Sequence, residues 1–289
     1  MLEDNEPNAF ESGYDFETTV IFDVDSDFRF HLVGLDPVME IDSKIKSIID
    51  EGLESPMYDD LRSLFALTDL SIVRFEALYT LNPENALGGY VYNRSTDTDA
   101  WVLGLNLFYA YHRVTVHGSE PMHYNQDGTY GYILAHEFGH LLTLNFAHEV
   151  DPYSTHENCS ELLLQEGCFK QQSILNSFNN TFYINSESPL KDPTHVTPYA
   201  QTNIAEDIAE TFAYYIHQDP IPELYPTSSG ALHKIHFSAE QSLLMQLKPQ
   251  MRHHLDIRQL PHIANPIYSK TLRPFGELNS CLEVKRKRN

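Results

Sequence analysis

His136-Glu137-Phe138-Gly139-His140 restricts the chain more than any other segment. Two histidines four residues apart act together only on an α-helix, where ~100° per residue leaves them about 40° apart around the axis. The neighbouring sequence supports that helix. Leu134, Phe138, Leu141 and Leu142 form an apolar stripe, and the spacing predicts a helix over 130–145. H-E-x-x-H on such a helix aims two imidazole nitrogens at one Zn²⁺, at about 2.0–2.1 Å each. Glu137 lies beside the pair. It is placed to take a proton from water whose pKa the metal lowers to around 7. The expected cofactor is one zinc ion.

Two histidines need a third protein ligand if one catalytic position is to stay open. The extended pattern H-E-x-x-H-x-x-G-x-x-H would place Gly at 143 and His at 146; Thr143 and Phe146 stand there instead. His148 and Glu149 follow too closely to match a known spacing. Glu157 and Glu161 are candidates by distance along the chain. A better pair is Glu206 and Glu210, which lie i and i+4 on a second predicted helix capped by Thr202 or Asn203 and ending near Gln218. Ile204, Ile208, Phe212 and Tyr215 make its apolar stripe, and the two carboxylates project from another face. One can ligate a metal while the other hydrogen-bonds a ligand histidine.

The two segments together, His136-Glu137-x-x-His140 and Tyr199-x-x-Thr202-Asn203-x-x-Glu206-x-x-Ala209-Glu210-x-Phe212, resemble the glutamate-zincin peptidases related to anthrax lethal factor and the Pro-Pro endopeptidases. The resemblance implies that His136, His140 and Glu206 are the zinc ligands and Glu137 the general base. It implies that the Tyr199 phenol stabilises the oxyanion and that Glu210 supports the site from behind a ligand. The implied fold is α+β and zincin-like. A mixed sheet with an edge strand would lie over the H-E-x-x-H helix, followed by a C-terminal helical subdomain. The implied activity is peptide-bond hydrolysis on a protein or peptide substrate. A zinc-binding interaction module that no longer catalyses is the alternative. Residues 101–107 are the expected substrate-aligning edge strand.

Strand patterns dominate before residue 110 and helical ones after 130, an α+β order. One or two strands are expected over 18–35, and further strands over 71–81, 89–92 and 101–108. Helices are expected over 41–49, 58–70, 161–178 and 238–247, the last capped by Ser238. Three divisions follow: an acidic N-terminal extension at 1–57, a peptidase domain at 58–260, and a C-terminal segment at 261–289 ending in Lys285, Arg286, Lys287 and Arg288. Asp23, Asp25 and Asp27 alternate, but Phe28 and Gly34 stand where a calcium loop needs Gly and Glu, so a solvated strand face is expected.

The net charge of −22 excludes a general phosphate-seeking surface and hence nucleic acid as a partner. No apolar run approaches the ~18 residues of a membrane span. The acidic start does not read as a signal peptide, so the expected address is the cytoplasm or an export route not visible in the sequence. Cys159, Cys168 and Cys281 are too few for a disulfide scaffold, and reduced, buried thiols are expected ahead of the alternative, a Cys159–Cys168 bridge. His112, His117, His123, His253 and His254 are expected to be ordinary surface or core histidines. Three glycosylation-type triplets begin at Asn93, Asn158 and Asn179.

Overall fold

A computed structural model of the 289-residue chain describes residues 18–36, 56–68, 70–79, 88–95, 98–106, 129–154, 156–184, 195–225 and 228–255. Among these the fold is mixed α+β, with six α-helices and two sheets. Two compact units are present. One holds the described residues up to Arg94 and those from Ala100 to Tyr130; the other holds Ser95, Thr98 and Asp99 and the described residues from Gly131 onward.

The first unit is built on a five-stranded sheet, β1 (Thr18–Val24), β2 (Phe30–Asp36), β3 (Ile72–Tyr79), β4 (Gly89–Asn93) and β5 (Trp101–Asn106), in the order β2-β1-β3-β5-β4. Only the β3–β5 pairing is parallel. Helix α1 (Pro56–Leu67) covers one face through Phe65. There Phe22, Phe30, Phe65 and Phe75 pack ring to ring, with centroids 5.7–6.2 Å apart along their contacts. Each buried phenylalanine contributes about 1.5–3 kcal/mol of hydrophobic stabilisation. The β1–β2 turn is tied by Asp25, whose carboxylate accepts from the backbone N–H of Asp27 and of Arg29, both at 2.9 Å. Asp25 therefore folds a turn instead of decorating a strand, while Asp23 pairs with Arg74.

Residues 101–106 do not form an edge. β5 lies between β3 and β4, and Val102, Leu103 and Leu105 are fully buried. A near-continuous apolar run suits a strand covered on both faces, which is why it takes an interior position. Among the described residues β2 and β4 are the edges.

The second unit begins along α2 (Thr129–Leu144), which carries the H-E-x-x-H segment. The segment 161–178, expected as one helix, is mostly not helical. It forms β7 (Leu163–Leu164) and β8 (Gly167–Phe169), which join β6 (Val150–Asp151) in a small sheet, and only then α3 (Ile174–Asn179). Gly167 explains the turn: its φ of 137° is one that side-chain-bearing residues rarely adopt. Cys159 and Cys168 are joined in a disulfide with Cα atoms 5.6 Å apart, correcting the expectation of reduced thiols. The β-turn that brings β8 back is what places the two sulfurs side by side.

Three helices complete the unit: α4 (Ile204–His217), α5 (Gly230–Glu240) and α6 (Ser242–His254). Asn203 caps α4, accepting from the N–H groups of Ala205 and Glu206 at 2.9 and 3.0 Å. Ser229 caps α5. Ser238 was expected to cap a helix over 238–247; it lies inside α5 instead, and the chain restarts helically at Ser242. The expected helix over 41–49, the histidines His112, His117 and His123, and the basic tail lie outside the described residues.

Candidate metal centre

Helices α2 and α4 cross at their smallest residues. A Cβ placed on Gly139 would stand 2.8 Å from the Ala209 Cα and 3.2 Å from its Cβ. Gly139 lies between the two motif histidines, and Ala209 lies between Glu206 and Glu210. The backbones touch at that point, so the four side chains flanking it converge.

His136, His140 and Glu206 form a group that could hold a metal ion. The Nε2 atoms of the two histidines are 3.1 Å apart, and each lies 3.2 Å from Glu206 Oε2. Three ligands at ~2.0–2.1 Å and tetrahedral angles around zinc are separated by about 3.3 Å. The triangle therefore has the size that one such ion requires. His140 and Glu206 are fully buried, and His136 is nearly so.

The electrostatics point the same way. Burial by itself would lower the His136 pKa. The carboxylates of Glu206, Glu210 and Glu137 override it and push that pKa well above the ordinary imidazole value. Burial likewise opposes ionisation of Glu206, yet the facing imidazoles of His140 and His136 hold its pKa well below the usual carboxylate range. The focus of the site favours positive charge, and a divalent cation between neutral imidazoles and a carboxylate supplies it without an extra proton.

Glu210 sits behind His136. Its Oε1 accepts from His136 Nδ1 at 2.8 Å, which leaves Nε2 facing the centre. Its Oε2 accepts from the Tyr132 hydroxyl at 2.8 Å and from Thr197 Oγ1. Burial, then the charge of Glu210, raises the Tyr132 pKa well above its ordinary value, so the phenol stays protonated and remains a donor. Tyr132 also packs edge-on against Tyr214 of α4, at 5.8 Å between ring centroids.

Tyr199 opens a 3₁₀ turn (Tyr199–Gln201), and its ring centroid is 5.8 Å from that of His136. Glu137 is buried on α2 beside the histidines. The rejected ligand candidates lie elsewhere. Glu157 is exposed, and Glu161 accepts from Asn176 Nδ2 at 2.7 Å. Exposed His148 follows the end of α2, and buried Glu149 accepts from the Ile174 N–H at 2.6 Å. His253 and His254 meet edge to face at the end of α6, with ring centroids 5.4 Å apart. Of the glycosylation-type asparagines, Asn93 and Asn179 are buried and Asn158 is exposed.

Sequence reasoning missed four residues that shape the site: Tyr132, Gly139, Thr197 and Ala209. Tyr132 is four residues before His136 and so shares its helix face, a signal that was present. Gly139, between the two histidines, was also a signal for close approach. Thr197 lies in irregular chain and had none.

Comparison with protein-family models, with curated proteins and with solved structures gave no match.

Proposed function

We propose that the protein is a zinc-dependent peptidase of zincin-like architecture. The observation that supports this reading best is the buried triangle of His136 Nε2, His140 Nε2 and Glu206 Oε2, backed by the Glu210 carboxylate on His136 Nδ1. His136, His140 and Glu206 would hold one Zn²⁺. When bound, that ion supplies Lewis acidity to the scissile carbonyl and to the attacking water.

The remaining steps belong to the chain's own side chains. Glu137 takes a proton from the attacking water and returns it to the leaving amine, the two halves of general acid–base catalysis. Tyr199 donates a hydrogen bond to the carbonyl oxygen as negative charge develops on it. Glu210 keeps the His136 tautomer fixed, with Nδ1 protonated and Nε2 turned to the centre.

The test separates metal from catalysis. Peptide-library digestion with zinc should show cleavage that a chelator abolishes and added zinc restores. Glu137→Gln should retain one zinc per chain and cleave at least ~10²-fold more slowly, since a positioned acid–base group contributes about 10²–10⁴-fold. A wild-type protein that holds zinc and cleaves nothing under any condition is an interaction module instead.

A further inference from the structure

The hydrogen bonds behind His136 continue past Glu210 into the turn that carries Tyr199. Thr197 Oγ1 accepts from the Ala200 N–H at 3.1 Å and donates to Glu210 Oε2. A hydroxyl has one proton. With the backbone N–H arriving as donor, that proton is directed to the carboxylate. The chain of bonds therefore has a single direction, from Ala200 N–H to Thr197 Oγ1 and from Thr197 O–H to Glu210 Oε2. The other oxygen of Glu210 receives the His136 Nδ1 proton.

Thr197 holds its backbone partner in the manner of a helix cap, oxygen to the N–H three residues on. The capped turn is short: Thr202 N–H bonds the Tyr199 carbonyl at 3.0 Å, and Gln201 N–H bonds the Pro198 carbonyl at 3.3 Å. Pro198 has no N–H of its own to contribute, so Thr197 is the side chain that fastens the start of this turn. The buried Ala200 methyl anchors its middle. One hydroxyl is thus bonded at once to the residue that orients a metal-ligand histidine and to the turn that presents the phenol.

We propose that Thr197 is a positioning residue of the metal centre, registering the Tyr199 turn against the Glu210–His136 pair. The proposal rests on reading this centre as a zinc peptidase site. Thr197 touches neither the metal position nor a substrate. It acts through Glu210 on His136 and through Ala200 on Tyr199. Tyr132 donates to the same Glu210 oxygen from within α2, but it makes no bond to the Tyr199 turn in the pattern described, so it cannot replace this function.

The experiment compares Thr197→Val, which keeps the shape and removes the hydroxyl, with Thr197→Ser, which keeps the hydroxyl and removes the methyl group. Zinc affinity is measured on the full chain by competition with a chromophoric chelator, and the Co²⁺-loaded protein gives an absorption spectrum that reports ligand geometry. Loss of an outer hydrogen-bond partner costs about 10–100-fold in metal affinity or activity. T197V should therefore bind Zn²⁺ at least ~10-fold more weakly, with altered Co²⁺ bands. At saturating zinc its kcat on a peptide library should fall at least ~10-fold while KM stays near wild type. T197S should match wild type in all three readouts. If T197V does not fold, T197A against T197S makes the same comparison. Wild-type affinity, spectrum and kcat in T197V overturn the proposal. So does a loss that T197S shares, because the methyl packing would then be the cause. Wild-type protein that takes up no zinc overturns the centre itself, and the proposal with it.

Discussion

Helix α2 brings imidazoles to the centre and α4 brings carboxylates, and the two helices bury these groups differently. On α2 the motif is set among Ala135, Phe138 and Leu141, all buried. Its C-terminal end is held from outside the helix: Lys170 Nζ donates to the Phe146 and Ala147 carbonyls, and Asp99 accepts from the N–H groups of the same two residues. The imidazoles of His136 and His140 face carboxylates of α4, and α2 buries one carboxylate of its own, Glu137. Helix α4 buries three. Glu206, Asp207 and Glu210 are all 3% exposed or less. A buried carboxylate is tolerated only when charges or donors match it. Each has a different set: Glu206 faces the two histidines, Glu210 takes His136, Tyr132 and Thr197, and Asp207 takes Lys234 and Tyr183. The difference teaches that α2 supplies the motif while α4 supplies the conditions under which the motif can assemble.

The strongest way to break this contrast is to remove a partner of α4 remote from the His136, His140 and Glu206 group. Lys234 Nζ is 2.5 Å from Asp207 Oδ2, both residues are buried, and the ammonium lies 5.4–5.8 Å from the rings of Phe178, Phe182 and Tyr183. Lys234→Met would take from Asp207 its nearest cation, leaving only the Tyr183 hydroxyl and His195 at 3.8 Å, so that burial drives the carboxyl to take up a proton or stay poorly matched. Urea unfolding should show a loss of about 3–5 kcal/mol. A loss under 1 kcal/mol would mean that α4 does not depend on its partners as described.

The next test uses pH. His217, at the last turn of α4, is buried, and burial pushes its imidazole pKa down to about 4, with the backbone bond to Ala213 opposing and the Arg252 charge assisting. Between the ordinary imidazole value and that lowered one, the unfolded chain binds a proton that the folded chain excludes. The contribution is therefore complete at neutral pH and is lost as pH falls through this window, by up to about 3 kcal/mol. Comparing wild type with His217→Gln isolates it. The difference in unfolding free energy should be larger at pH 7 than at pH 4, and equal differences would refute the assignment.

A smaller change sharpens the comparison by acting on both helices. Gly139→Ala inserts a methyl group where α2 meets the Ala209 backbone, and overpacking of this kind costs about 1–3 kcal/mol. Because the three candidate ligands and Glu210 flank the contact, zinc affinity should fall with stability. Calorimetry and zinc titration on the same sample check both. Loss of stability with unchanged zinc affinity would uncouple the crossing from the centre.

Much of this was legible in the sequence because it was local. The α2 stripe, the Asn203 cap and the strands at 72–79, 89–93 and 101–106 follow from periodicity and capping chemistry within a few residues. The convergence of His136, His140 and Glu206 was also expected, from two motifs held far apart in the chain. What could not be read was whatever depended on distant neighbours. The interior place of β5 is decided by which strands pair, not by its own composition. The segment 161–178 has helical composition, but a turn at Gly167 folds its first part into a hairpin, and the Cys159–Cys168 bridge lies across it. Glu206 and Glu210 lie off the apolar stripe of α4 and would suit a solvent face in isolation. Their burial is set by α2, and Thr197 bonds Ala200 locally but reaches Glu210 on another element.

The contact between Gly139 and Ala209 also ties two distant codons to one steric allowance. Enlarging Gly139 drives a Cβ against the Ala209 Cα, an atom that every residue at 209 keeps, so no smaller partner relieves it and the helices themselves must part. Drift at either position is therefore restricted even though neither atom set touches a metal or a substrate. Related chains that keep the centre should therefore keep glycine between the two motif histidines, whatever small residue faces it.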